Sequence, residues 1–251
     1  MTLLRPPTSE PRAKAKAPRA KPPRQVHYPS SDGKPMAESD WHRKEMSDLI
    51  DMLDDRFKDR PDVYIAGNNF LYYVEGDPRK VVSPDVYVVF GVAKRQRPVY
   101  KLWEEGAAPA VVFEISSRST RREDLVQKRD LYARLAVDEY FLCDPLMEYL
   151  KPPLQGFRLD PGAGVYSPIE PDSDGRLQSA RLGLLLWMEG GLVQLADAAT
   201  GERLLRSGEV RERERNAEQL AERERTARQA AEAEIARLRA EIERLRPDSG
   251  I

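Results

Sequence analysis

Cysteine and histidine are nearly missing from this chain. Its 251 residues include one cysteine, Cys143, and two histidines. A single thiol excludes an intramolecular disulfide framework, and so few imidazoles and thiols make poor ligands for zinc, which sets a zinc hydrolase aside. No apolar run approaches the roughly 20 residues that span a bilayer, and the N-terminus lacks the apolar core of a signal peptide. With a reduced thiol, the expected location is cytoplasmic. Charge of one sign is lacking too: 41 Lys plus Arg stand against 42 Asp plus Glu, so the total points to no electrostatic partner. Nor is there a G-x-x-x-x-G-K-[ST] loop, which argues against nucleoside triphosphate hydrolysis. What is plentiful is proline, at 20 residues, and charge, at 33%. That is too much of both for one compact globule throughout, so part of the chain is expected to be tail.

Divided along the chain, the charge becomes informative. Residues 12–24 carry Arg12, Lys14, Lys16, Arg19, Lys21 and Arg24, no acid, and prolines at 18, 22 and 23. Such a segment buries too little apolar surface to offset its chain entropy, so residues 1–36 are expected to be a disordered basic, Pro-rich tail. It reads as a solvated leader, with a phosphate-contacting arm as the alternative. Residues 209–246 hold ten Glu and ten Arg without Pro or Gly, a strongly helix-forming composition. Ala231, Ile235, Leu238, Ile242 and Leu245 are spaced 4, 3, 4, 3, a short a/d seam. Residues 207–247 are therefore expected to form a charged helix able to pair two copies of the chain as a coiled coil.

Residues 37–206 are left for the folded domain. Ser39 and Asp40 are caps for a helix whose stripe runs His42, Met46, Leu49, Leu53, Phe57 and stops before Pro61. Beyond it, Val63 and Ile65 alternate, 67–69 make a turn, and 70–74 read as a return strand. Residues 81–90 and 110–116 read as buried strands. Thr120 and Glu123 have capping-box spacing for a helix with Leu125, Lys128, Tyr132 and Leu135 on one stripe. Residues 139–144 form the next strand, so strand, helix and strand predict a crossover and a mixed sheet. The punctuated remainder, with Phe157, Tyr166 and Trp187, reads as antiparallel hairpins added to that sheet.

Three side chains break the apolar pattern: Asp85 beside a strand core, Glu114 within one, and Lys128 on an apolar helix stripe. Each alone is an ordinary ion pair. Together, two carboxylates on adjacent strands and an ammonium from the following helix can converge, since buried charge is costly unless paired or bound to metal. Oxygen ligands of this kind suit Mg²⁺ or Mn²⁺.

In their order and spacing, Ser83-Pro84-Asp85, Val112-Phe113-Glu114-Ile115-Ser116, Lys128, Tyr132, Glu139-Tyr140-Phe141-Leu142 and Asp144-Pro145 resemble the Uma-type restriction endonuclease domain of the PD-(D/E)XK nuclease superfamily. The likeness covers roughly residues 42–205. It implies an α/β (α+β) fold with a restriction-endonuclease-like central mixed sheet flanked by helices, a divalent metal, and phosphodiester hydrolysis. The superfamily's E-x-K would put lysine at position 116, where this chain has Ser116. Migration of the lysine onto the helix, at Lys128, is what the resemblance to this subgroup implies.

On that basis Asp85 and Glu114, with the Ile115 backbone carbonyl, are expected to hold Mg²⁺ (or Mn²⁺), and Lys128 to assist water attack. Auxiliary candidates are Glu45, through the metal's water shell or else a plain surface residue; His42, most simply a packing residue; and Ser116. Arg118, Arg121 and Arg122 are candidate phosphate contacts. The expected partners are DNA and a second copy of the chain, with no membrane. Ser116 and the neutral total charge favour the alternative, a catalytically inactive nuclease-fold module that binds nucleic acid or assembles through its terminal helix.

Overall fold

The computed structural model describes residues 26–31, 39–117 and 120–245. Helix α1 (Asp40–Arg56) begins where the Ser39 hydroxyl accepts the His42 N–H at 3.2 Å, satisfying one of the free donors of the first turn. It ends at Phe57, ahead of Pro61. Leu49, Leu53 and Phe57 are buried as the stripe predicts, and Met52, Glu45 and Asp48, outside it, are buried too.

Six strands form the central sheet in the order β1 (Val63–Ala66), β4 (Val86–Phe90), β6 (Val111–Ile115), β7 (Glu139–Cys143), β8 (Leu154–Asp160) and β9 (Val165–Pro168). β6 and β7 are parallel and every other neighbour is antiparallel, so the sheet is mixed. The parallel pair is joined by a π-helical stretch, Glu123–Lys128, that continues as α3 (Arg129–Arg134). Parallel neighbours need such a crossover because a tight turn cannot reverse the chain twice.

Two smaller sheets complete the fold. Residues 63–74 do not form a hairpin: β2 (Phe70–Tyr72) leaves β1 and joins β3 (Val81–Val82) and β5 (Val99–Lys101) in a separate sheet. The single-turn helix α2 (Leu102–Glu105) follows β5. Among the late strands only β8 and β9 extend the central sheet. β10 (Leu177–Ser179), β11 (Leu184–Glu189) and β12 (Leu192–Asp197) make a sheet of their own. Its apolar residues Leu177, Leu184, Leu186, Val193 and Leu195 share a core with α1 and one face of the central sheet, which is why it stacks on that sheet instead of widening it.

Strand alternation divides the core in two. Val86, Val88, Val111, Phe113, Ile115, Phe141 and Cys143 face α1. Tyr87, Val112, Tyr140 and Leu142 face the opposite way, among Tyr64, Tyr100 and Tyr132. Phe113 and Phe141 stack at 5.1 Å between ring centroids, a contact worth about 1 kcal/mol beyond the area it buries. Two carboxylates fasten the periphery. Glu139 accepts from the Ser179 hydroxyl, the Ala180 N–H and Arg158, tying the third sheet to the first, and Asp144 accepts from the Leu146 and Leu150 N–H groups of the next loop.

Part of the expected disordered tail is packed. Tyr28 lies 5.0 Å from the Tyr72 ring and 5.2 Å from Trp103, while its hydroxyl accepts the Gly76 N–H. An aromatic side chain with a satisfied hydroxyl provides the burial that the basic stretch lacks. Residues 1–25 and 32–38 lie outside the described residues. At the other end, α4 (Ser207–Leu245) is a 39-residue helix. No helix among the described residues is long and apolar enough to cross a membrane.

Candidate active site

The site forms where β4 begins and β6 ends. Extending the β4–β6 register one step past Val86↔Phe113 brings Asp85 opposite Glu114. Asp85 substitutes for backbone there: its Oδ2 accepts the Ile115 N–H at 2.7 Å, carrying the ladder one rung further with a side chain. The close approach of the turn after β1 permits this. A Cβ on Gly67 would fall 2.0 Å from the Asp85 carbonyl oxygen, so only glycine fits beside this segment. The Asn68 N–H donates to the Pro84 carbonyl at 2.9 Å and pins the same stretch.

Glu114 points to the tyrosine-rich face, with its side chain 1% exposed. Both of its oxygens are held: Oε2 by Lys128 Nζ at 2.8 Å and Oε1 by the Tyr132 hydroxyl at 2.6 Å. Burial, reinforced by the Asp85 charge, pushes the Glu114 carboxyl well above its ordinary range against the opposing pull of Lys128. Asp85 goes the other way. Burial would raise it, but hydrogen bonding and charge from His42, the Lys128 charge and the Ile115 N–H together hold it below its usual value. Lys128 is pushed up: burial disfavours its charge, but the carboxylates of Glu114, Asp124 and Asp85 outweigh that cost.

The crossover helix delivers the lysine. Lys128 closes the π-helical stretch, a local widening frequent at functional sites. It is also 3.0 Å from Asp124 Oδ1, one turn earlier. Asp124 in turn accepts from the Ser116 hydroxyl at 2.9 Å. Ser116 therefore stands at the end of β6 holding the carboxylate that neighbours the ammonium. The sequence pattern alone does not single out Asp124 or Tyr132 as a site residue. The available signal was their spacing, four residues before and four after Lys128, on a stripe otherwise apolar.

His42 sits where α1 meets the sheet end, its Nε2 3.1 Å from Asp85 Oδ2. It is thus joined to the acid, not merely packed. Glu45, one turn on, is not at the surface: it is fully buried, accepting from the Val193 N–H at 2.8 Å and from Arg206 at 2.5 Å, which it shares with Asp48. Arg121 and Arg122 are exposed at the start of the crossover helix, and Arg118 lies outside the described residues. The side chains of Asp85, His42 and Lys128 are 14–15% exposed, so the cluster reaches solvent through these three, with Glu114 beneath. Among the described residues no set of three or more His, Cys, Asp or Glu side chains is arranged to hold a metal ion.

An acid pair thus meets a lysine from the crossover helix at one end of a mixed sheet. Over residues 18–193 the chain matches the family described as "Uma2: Putative restriction endonuclease". The chain belongs to that family, and the match begins upstream of the stretch that carries the motifs. Among solved structures it is similar to a putative nuclease from Anabaena variabilis, at 15% identity over 59% of this chain and 76% of that one, with a TM-score of 0.43. No curated protein matches it.

Proposed function

We propose that the protein is a metal-dependent endonuclease that hydrolyses phosphodiester bonds of DNA. The observation that carries this reading is the convergence of Asp85, Glu114 and Lys128 from two strands and a helix on one buried, solvent-reaching cluster. Isolated buried charges would not persist without a purpose or a partner.

The donor set fits a hard cation. Asp85 and Glu114 provide carboxylate oxygens. Asp85 Oδ1 takes no protein donor among the described residues, since the His42 and Ile115 contacts both fall on Oδ2. The Ile115 backbone meets Asp85 through its N–H, which donates to Oδ2 at 2.7 Å, and its carbonyl is the third donor proposed. Asp85, Glu114 and this carbonyl would hold Mg²⁺ or Mn²⁺, with water completing the shell, as Mg²⁺ prefers. Such an ion supplies an acidified water and positive charge against the scissile phosphate.

The remaining chemistry belongs to the chain. Lys128 keeps its proton at Nζ and offsets negative charge that develops on the phosphate oxygens. Tyr132 orients Glu114 and His42 orients Asp85, which keeps the carboxylates from turning away. Asp124, held by Ser116, fixes the other side of the ammonium. Arg121 and Arg122, both exposed, would meet flanking phosphates. The other partner proposed is a second copy of the chain, through α4.

One observation favours the non-catalytic reading: Lys128 and Tyr132 already occupy both oxygens of Glu114. Calorimetric titration with Mg²⁺ and Mn²⁺ separates the two. The nuclease reading expects one saturable site that Asp85→Asn abolishes; no uptake of either ion leaves the binding module.

A further inference from the structure

The distal part of α4 has an apolar face that no other described residue covers. Ile235, Leu238 and Ile242 are 50%, 49% and 62% exposed, although three such residues on one stripe normally mark a contact. With Ala231 and Leu238 at d, Ile235 and Ile242 fall at a, and Leu245 is the next d in the sequence. β-branched residues at a with leucine at d favour two strands.

The charges beside this seam select an orientation. Glu234 and Glu241 occupy g, and Arg239 occupies e of the following heptad. In a parallel pair g meets e of the partner's next heptad, so Glu234 of one chain faces Arg239 of the other, twice by symmetry. In an antiparallel pair g meets g, and glutamates would oppose glutamates. Within one chain, Glu234 is met among the described residues by Arg237, at 3.8 Å. Upstream the seam fails: the a and d positions include Glu214, Glu224 and Arg228, and Arg228 is turned onto Glu232 at 2.9 Å.

We propose that α4 pairs with a second copy of this chain as a parallel, two-stranded coiled coil confined to about residues 231–245. The nuclease domains then sit at the same end, each on a solvated helical arm. From residue 207 to 231 the arm measures about 36 Å at 1.5 Å per residue. A seam of two heptads is marginal for free peptides, but here the helix is preformed and its root is fixed. Arg206 binds Glu45 at 2.5 Å and Asp48 at 2.9 Å, and the Ser207 hydroxyl donates to Asp51 at 2.6 Å. Less ordering is left for association to meet. The inference is independent of catalysis, and its test reads mass and affinity alone.

Sedimentation of the full chain tests it. The wild type is expected to approach twice 28.6 kDa at high micromolar concentration, and Ile235→Asp with Ile242→Asp to stay monomeric. Glu234→Arg and Arg239→Glu should each weaken the dimer about tenfold, since each sets two like-charge pairs face to face. Mixed one to one, the two variants should recover wild-type affinity, because their heterodimer restores both opposite-charge pairs. A wild type that is monomeric throughout, a dimer that survives both aspartates, or a mixture no tighter than either variant alone would overturn the proposal.

Discussion

Lys128 Nζ lies 2.8 Å from Glu114 Oε2, although the two residues are 14 positions apart and on different elements. The ammonium that an E-x-K strand would deliver from position 116 reaches the acid from the crossover helix instead. Ser116 keeps a part in the same cluster by holding Asp124, which flanks the lysine on its other side. Charge is therefore balanced around Glu114 by a helix whose position depends on the parallel β6–β7 pair.

Replacing Lys128 with methionine preserves its length and removes that balance. Glu114 is left with Tyr132 alone in a buried setting, and breaking a buried pair from one side costs about 3 kcal/mol. Urea unfolding of Lys128→Met should fall by that amount, with native circular dichroism retained. A stability within about 0.5 kcal/mol of the wild type, the range of ordinary surface substitutions, would show that the contact carries no weight.

Gly67 gives a test that alters no charge. The Gly67→Ala methyl would collide with the Asp85 carbonyl oxygen, so the turn or the β4 entrance must shift. The expected result is a loss of about 1–3 kcal/mol in stability, together with weaker Mg²⁺ uptake. Unchanged stability and uptake would mean that this approach does not position Asp85.

The motifs made the acids and the lysine legible, because a carboxylate inside a β run and a lysine on an apolar helix stripe are visible as interruptions. The mixed sheet was legible for a similar reason: Val111 to Ile115 and Glu139 to Cys143 flank a helical segment of crossover length. Pairing partners were not. β2 follows β1 after a turn-like Gly67-Asn68-Asn69 and still joins β3 and β5, since strand pairing is decided by burial across distant segments. Glu45 reads as a surface residue because its partner Arg206 is 161 positions away. Tyr28 was concealed within a basic, Pro-rich composition whose average says nothing of one anchoring ring.

Glu45 also yields a pH dependence. Burial pushes its carboxyl above the ordinary 4.5, against the pull of Arg206 and the Val193 N–H. The unfolded chain then releases this proton before the folded one does. The stability that protonated Glu45 contributes is whole below about pH 4.5 and is lost as pH rises through the raised folded value. Glu45→Gln keeps the size and removes the titration. The unfolding free energy of wild type minus Glu45→Gln should therefore decline as pH climbs from about 4 to 7. A difference that grows over that range would reverse the assigned direction.

The central claim is that the Asp85, Glu114 and Lys128 cluster cuts DNA. It is tested most directly by following plasmid cleavage with purified wild type and Glu114→Gln, each with Mg²⁺, with Mn²⁺ and with EDTA. The account predicts cleavage by the wild type that needs the metal and falls on the order of 10²–10⁴-fold in the variant. Equal metal-dependent cleavage by both proteins would contradict it, as would a wild type that takes up the ion and cuts neither strand.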